Sequence, residues 1–81
     1  MDLYISNLAA GTDEKQLEEL FAKFGEVSDI RINKSSFTKT HKANAFLRMR
    51  NNSEARDAIA SLSGTSFNGR KITVNEAVPR F

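Results

Sequence analysis

Two apolar stripes at helical spacing constrain this chain more than any other feature: Leu17, Leu20, Phe21 and Phe24, then Ala55, Ala58, Ile59 and Leu62. Each follows the i, i+3, i+4, i+7 pattern of a helix that buries one face and wets the other. A one-faced helix has to cover something. The segments around the stripes alternate with period two: Leu3-Tyr4-Ile5-Ser6, Val27 to Asn33, Ala43 to Met49, and Lys71 to Asn75. That is the pattern of strands with one buried face.

The punctuation agrees with this order. Thr12 is placed to cap the first helix, with Asp13 and Glu14 in its first turn and Gly25 at its end. Asn52 or Ser53 is placed to cap the second, which runs to Gly64, and Phe67-Asn68-Gly69 reads as a turn. Lys34 to His41 is a polar loop. The order β-α-β-β-α-β predicts an α+β, ferredoxin-like sandwich, with a four-stranded antiparallel sheet and two helices packed on one face. Eighty-one residues build one core, so residues 1–81 are expected to form a single domain.

Several classes of chemistry are excluded. The chain has no cysteine, which removes disulfides, thiolate metal sites and thiol catalysis. Its one histidine, His41, falls in the polar loop, where exposure is the expectation. No Gly-rich phosphate loop follows the first strand, and Glu18 and Glu19 lie on the solvated side of an amphipathic helix. These features predict a binding module with no enzyme activity, no cofactor and no small-molecule substrate. The first residues carry neither a basic nor an apolar leader, and no stretch reaches membrane-spanning length. A monomer in the cytoplasm, or in the nucleus, is expected, without membrane contact.

With both stripes on one side of the sheet, the other side is left open. Alternation places Tyr4, Ser6, Arg31, Asn44, Phe46, Arg48, Lys71, Thr73 and Asn75 there. Charge is divided along the chain in the same sense. Residues 13–26 hold Lys15 and Lys23 against five acids, whereas residues 27–50 hold six bases against Asp29 alone. If those segments lie on opposite faces, one face attracts polyanions and the other repels them. Tyr4 and Phe46 fall on neighbouring central strands, and Arg31, Lys42, Arg48 and Lys71 surround them. Two aromatic faces side by side are stacking platforms for unpaired bases, with cations placed for phosphates.

At these residues the chain resembles the RNA recognition motif family, and the resemblance covers essentially all of it. Leu3-Tyr4-Ile5-Ser6-Asn7-Leu8 is similar to the shorter of the family's two signatures at every position. Lys42-Ala43-Asn44-Ala45-Phe46-Leu47-Arg48-Met49 is similar to the longer one, matching at Lys42, Ala45 and Phe46. It departs at Ala43 for glycine, Asn44 for the third-position aromatic and Met49 for the last. Gly25, Phe67-Asn68-Gly69-Arg70 and Val74-Asn75-Glu76-Ala77 also stand where the family has comparable residues.

The resemblance implies that Tyr4 and Phe46 each stack one base of single-stranded RNA, or of single-stranded DNA, and that Lys42 neutralises a phosphate. The family's third-position ring contacts sugars between the stacked bases. Asn44 in its place predicts weaker binding and offers an amide to a 2′-hydroxyl, a phosphate or a base. A first strand starting almost at Met1 looks like the single-motif RNA-binding proteins of bacteria and plants.

Three other readings compete with these. Val78 and Phe81 are placed to fold across the two rings. The basic cluster is read alternatively as a plain solvated face, and Asn7 as a strand-end residue bonding to backbone. A module of the same fold that grips a peptide is the other function, but Thr65 stands where peptide-binding members carry the arginine of an Arg-x-Phe element before the last strand.

Overall fold

The computed structural model describes residues 1–9, 11–33 and 43–77. The polar loop with His41, the signature residue Lys42, and the tail with Val78 and Phe81 lie outside them. Strands β1 (Asp2–Leu8), β2 (Val27–Asn33), β3 (Ala43–Met49) and β6 (Thr73–Ala77) form one antiparallel sheet in the order β2-β3-β1-β6. Helices α1 (Glu14–Ala22) and α2 (Asn52–Leu62) supply the apolar cover. A two-stranded ladder of β4 (Ser66–Phe67) and β5 (Arg70–Lys71) stands beside the sheet. This is the ferredoxin-like α+β sandwich that the order of elements predicts.

The buried apolar residues are those the periodicities select, with Leu8 added because β1 runs two residues past the expected Ser6. Leu3, Ile5, Leu8, Ala45, Leu47, Met49, Ile72 and Val74 come from the strand segments, and Leu17, Phe21, Ala55, Ala58 and Leu62 from the helices. Ile30, Ile32, Leu20, Phe24, Ile59 and Phe67 pack around them, partly exposed. Burying thirteen such side chains drives the fold, because each removes apolar area from water.

The helix starts differ from expectation by a residue or two. Asp13, not Thr12, caps α1: its carboxylate accepts from the Gln16 backbone N–H at 2.8 Å, and the Gln16 side chain accepts from the Asp13 N–H at 3.3 Å. A charged acceptor at the positive end of the helix is the stronger cap. Thr12 turns inward instead, fully buried, and its hydroxyl accepts from the Asn68 amide at 3.1 Å. Asn51, not Asn52 or Ser53, caps α2, accepting from the Glu54 N–H at 3.0 Å.

Gly25 does not end α1, which stops at Ala22 with Lys23 as its C-cap. It is small for another reason: a Cβ there would approach the Glu54 Cβ to 2.8 Å, well inside contact. Gly64, after α2, has φ +84 and does fill the left-handed position that favours glycine.

The expected fourth strand, Lys71 to Asn75, is split in two. Asn68 and Gly69 both have positive φ, 52° and 84°, as a tight two-residue hairpin turn requires. That turn pairs Ser66 with Lys71 and Phe67 with Arg70, and the Ile72 N–H then donates to the Thr65 carbonyl at 2.9 Å. Only from Thr73 does the chain join β1 in the main sheet.

Neighbouring residues on β3 point to opposite faces, which gives a direct test of the layering. Leu47→Ala should destabilise the protein by about 2–5 kcal/mol as a buried large-to-small change, whereas Phe46→Ala should stay within about 0.5 kcal/mol of wild type. Urea unfolding of both variants measures the contrast.

Candidate functional site

The open face is organised by strand register. In its middle row Arg31 on β2 stands opposite Phe46 on β3, Phe46 opposite Tyr4 on β1, and Tyr4 opposite Asn75 on β6. Directly paired side chains touch, so the two rings meet with centroids 5.0 Å apart, tilted by 50°. Tyr4 is half-buried, while Phe46 is 48% exposed and is the large apolar side chain left in water among the described residues.

A second row lies towards the start of β1. Asp29 stands opposite Arg48, Arg48 opposite Asp2, and Asp2 opposite Ala77. The Arg48 guanidinium donates to Asp2 through Nε at 2.7 Å and, more weakly, through Nη2 at 3.4 Å. This hydrogen bond holds the Asp2 carboxyl below its ordinary range and raises Arg48 above its own. Arg48 was expected as a free cation for phosphate. The structure places it on the expected face but ties it to Asp2, with Asp29 on its other side. A shallow cleft of about 120 Å³ opens here, lined by Asp2, Asp29, Arg31, Phe46, Leu47 and Arg48.

The third row, towards the end of β1, is uncharged. Asn44 is paired to Asn33 across β2 and β3, and Ser6 to Thr73 across β1 and β6. Opposite Asn44, β1 carries an irregularity between Ile5 and Leu8, where Asn7 adopts φ 63°. Asn7 bonds to the chain itself, as the strand-end reading has it: its amide donates to the Lys71 carbonyl at 2.6 Å and accepts from Arg70 at 2.9 Å. Lys71 is exposed, yet it stands on the hairpin opposite Ser66 and not on the main sheet, a correction to the expected placement.

The face therefore gathers Tyr4, Phe46, Arg31, Asn44, Arg48, Thr73 and Asn75, and leaves Lys71 at its margin. Asp2 was missed, although the period of two already puts it on the face of Tyr4. A larger cleft of about 430 Å³ lies behind the β2 edge, lined by Glu14, Lys15, Glu18, Val27, Ser28, Asp29 and Ile30. It has no aromatic ring, and its acids repel a polyanion.

Among the described residues, no group of three His, Cys, Asp or Glu is placed to hold a metal ion, and no helix is long and apolar enough to cross a membrane.

Comparison with known proteins bears on the whole domain. Residues 3–73 match the family model of the RNA recognition motif. The glycine-rich RNA-binding protein GRP2A of Sinapis alba is 36% identical over 77 residues, covering 95% of this chain and 46% of that protein. The chain thus spans about half the length of that relative. Among solved structures, RNA-binding protein PG1 superposes with a TM-score of 0.85 at 32% identity, covering 99% of this chain and 96% of that one. A chain of an Sxl-lethal protein/RNA complex superposes with a TM-score of 0.81 at 28% identity, covering 94% of this chain and 47% of that one.

The ion pair gives a pH prediction with a definite sign. Asp2 has its pKa lowered when folded, so the pair contributes stability above the ordinary carboxylate range of about 3.9 and loses it as pH falls through the lowered value. A carboxyl-carbon NMR titration should find Asp2 below the ordinary carboxylate range, and Arg48→Gln should raise it towards that range.

Proposed function

Because the chain belongs to the RNA recognition motif family, we propose that it binds single-stranded RNA across the open face of its sheet, as a binding module without catalytic activity. The observation that carries this reading is the exposed pair of Tyr4 and Phe46. An uncovered phenyl ring on a wet sheet keeps apolar area in water, with no gain in stability. A base laid on it removes that area and contributes about 1–3 kcal/mol per stack. The relatives named as RNA-binding and the likeness to a protein/RNA complex support the same reading.

The roles follow from position. Tyr4 and Phe46 stack adjacent bases. Arg31, next to Phe46 in register, and Lys71, at the margin, face the strand as cations. Arg48 contributes less to phosphate binding, because Asp2 already neutralises it. Asn75 beside Tyr4, with Thr73, offers polar groups to base edges or sugars. Lys42 keeps the phosphate role implied by its place in the longer signature.

Tyr4→Ala and Phe46→Ala should each weaken binding of a short single-stranded RNA by about 1–3 kcal/mol. An NMR titration with randomised short RNAs should move the resonances of the aromatic row first. Shifts confined to the helices, or full affinity in the double variant, would remove RNA from this face.

Log affinity should fall with log salt at a slope of roughly −2 to −3, for three or four phosphates contacted. Lys42→Ala should flatten that slope by about 0.7, and Arg48→Ala by less. Fluorescence anisotropy at several salt concentrations separates the two.

A further inference from the structure

We propose that two copies of this chain join edge to edge through β2, where the sequence alone led us to expect a monomer, so that their sheets run on into one with both open faces on the same side. β2 is an end strand of the main sheet, bonded to β3 alone. The backbone N–H and C=O groups on its far side have no partner among the described residues, which makes them a template for another strand. The opposite edge is not left in that state: the Val74 N–H of β6 donates to the Ser63 hydroxyl at 3.2 Å. Nor is β2 guarded in the usual ways. It holds neither proline nor lysine, and its irregularity lies between Val27 and Asp29, so the run from Asp29 to Asn33 is regular.

A second copy fits this edge because the charges on it are complementary when the strand is read backwards. In an antiparallel pairing about a twofold axis through Ile30, Asp29 of each copy comes opposite Arg31 of the other. Both side chains are exposed on the open face and neither is in an ion pair among the described residues. Arg48, the base across from Asp29, is already held by Asp2. Side chains directly opposite on paired strands are close enough to interact, and opposite charges there stabilise the pairing. On the helix side the same register sets Ile30 against its own copy and Ser28 against Ile32. Ile30 and Ile32 are partly exposed at the rim of the core, so the seam takes apolar area out of water.

Size decides how strong the pair is. The short run from Ser28 to Ile32 buries less than the roughly 1,200–2,000 Å² of a stable interface. Glu14 and Glu18, exposed beside the edge on α1, also oppose the approach, and Lys15 offsets part of that. The dimer is therefore weak when the protein is alone. Its use lies in RNA binding, and this part rests on the reading above. A twofold axis normal to the sheet puts both aromatic pairs on one side, with the Phe46 rings roughly 15 Å apart, about three strand spacings. An RNA that reaches both platforms meets the second one at a high effective concentration.

The test uses no RNA, so its failure leaves the RNA reading standing. Sedimentation velocity and backbone-amide NMR follow the protein from micromolar to millimolar concentration. The wild-type chain should pass from monomer to dimer over that range, with amide changes centred on β2. Asp29→Arg sets bases against each other at the seam and Arg31→Asp sets acids, and each variant alone should associate roughly 10-fold more weakly. Mixed in equal amounts, the two variants should bind each other about as tightly as wild type binds itself, a rescue that a damaged fold could not give. A wild-type chain that stays monomeric at millimolar concentration would overturn the proposal, and β2 amide shifts on adding a basic peptide would then assign the edge to another protein. Association unchanged in both variants, or a mixture no tighter than its components, would overturn it too.

Discussion

Tyr4 stands opposite Phe46 because Leu3 pairs with Leu47 and Ile5 with Ala45 on the buried side of the same two strands. Those four core residues hold the register, since a slip of one residue would turn every apolar side chain of β1 into water. The aromatic pair is thus positioned by groups that never meet a ligand. The two helices complete the arrangement by covering only the inner face, so that among the described residues neither helix covers the outer one. Register and one-sided cover together convert an apolar alternation into a platform.

Charge is distributed over that platform in bands. The carboxylates of Asp2 and Asp29 surround Arg48 at one end, the rings and Arg31 occupy the middle, and the far row pairs Asn33 with Asn44 and Ser6 with Thr73, with Arg70 and Lys71 at its margin. Behind the sheet, α1 exposes Glu14, Glu18 and Glu19, so a polyanion is steered to one side of the molecule only.

Short local motifs tie the rest to this frame. The β4-β5 hairpin is pinned to the end of β1 by Arg70 and Asn7, and to the start of α1 by Asn68, which donates to Thr12 and to Gln16 at 3.2 Å. These bonds link residues more than fifty positions apart in the chain. They fasten the hairpin to that end of the sheet and engage both ends of the Asn7 amide.

The sequence by itself determined the layers. Helical and strand periodicities are local, so they identify which residues are buried, the order of six main elements and the outward placement of Tyr4, Phe46, Arg31, Asn44 and Arg48. The signature residues pointed to the family for the same reason. Tertiary structure decided what depends on residues distant in the chain. Whether Asp13 or Thr12 caps α1 depends on Asn68 drawing Thr12 inward, and the break before Thr73 depends on a hairpin turn competing with the main sheet for the same segment. Arg48 reads as a free cation until the register sets Asp2 against it, and the sequence that puts an amide at Asn44 does not show that the fold buries its oxygen. Pattern reports the face a side chain takes, but pairing energy acts through space, and only the folded chain brings those partners together.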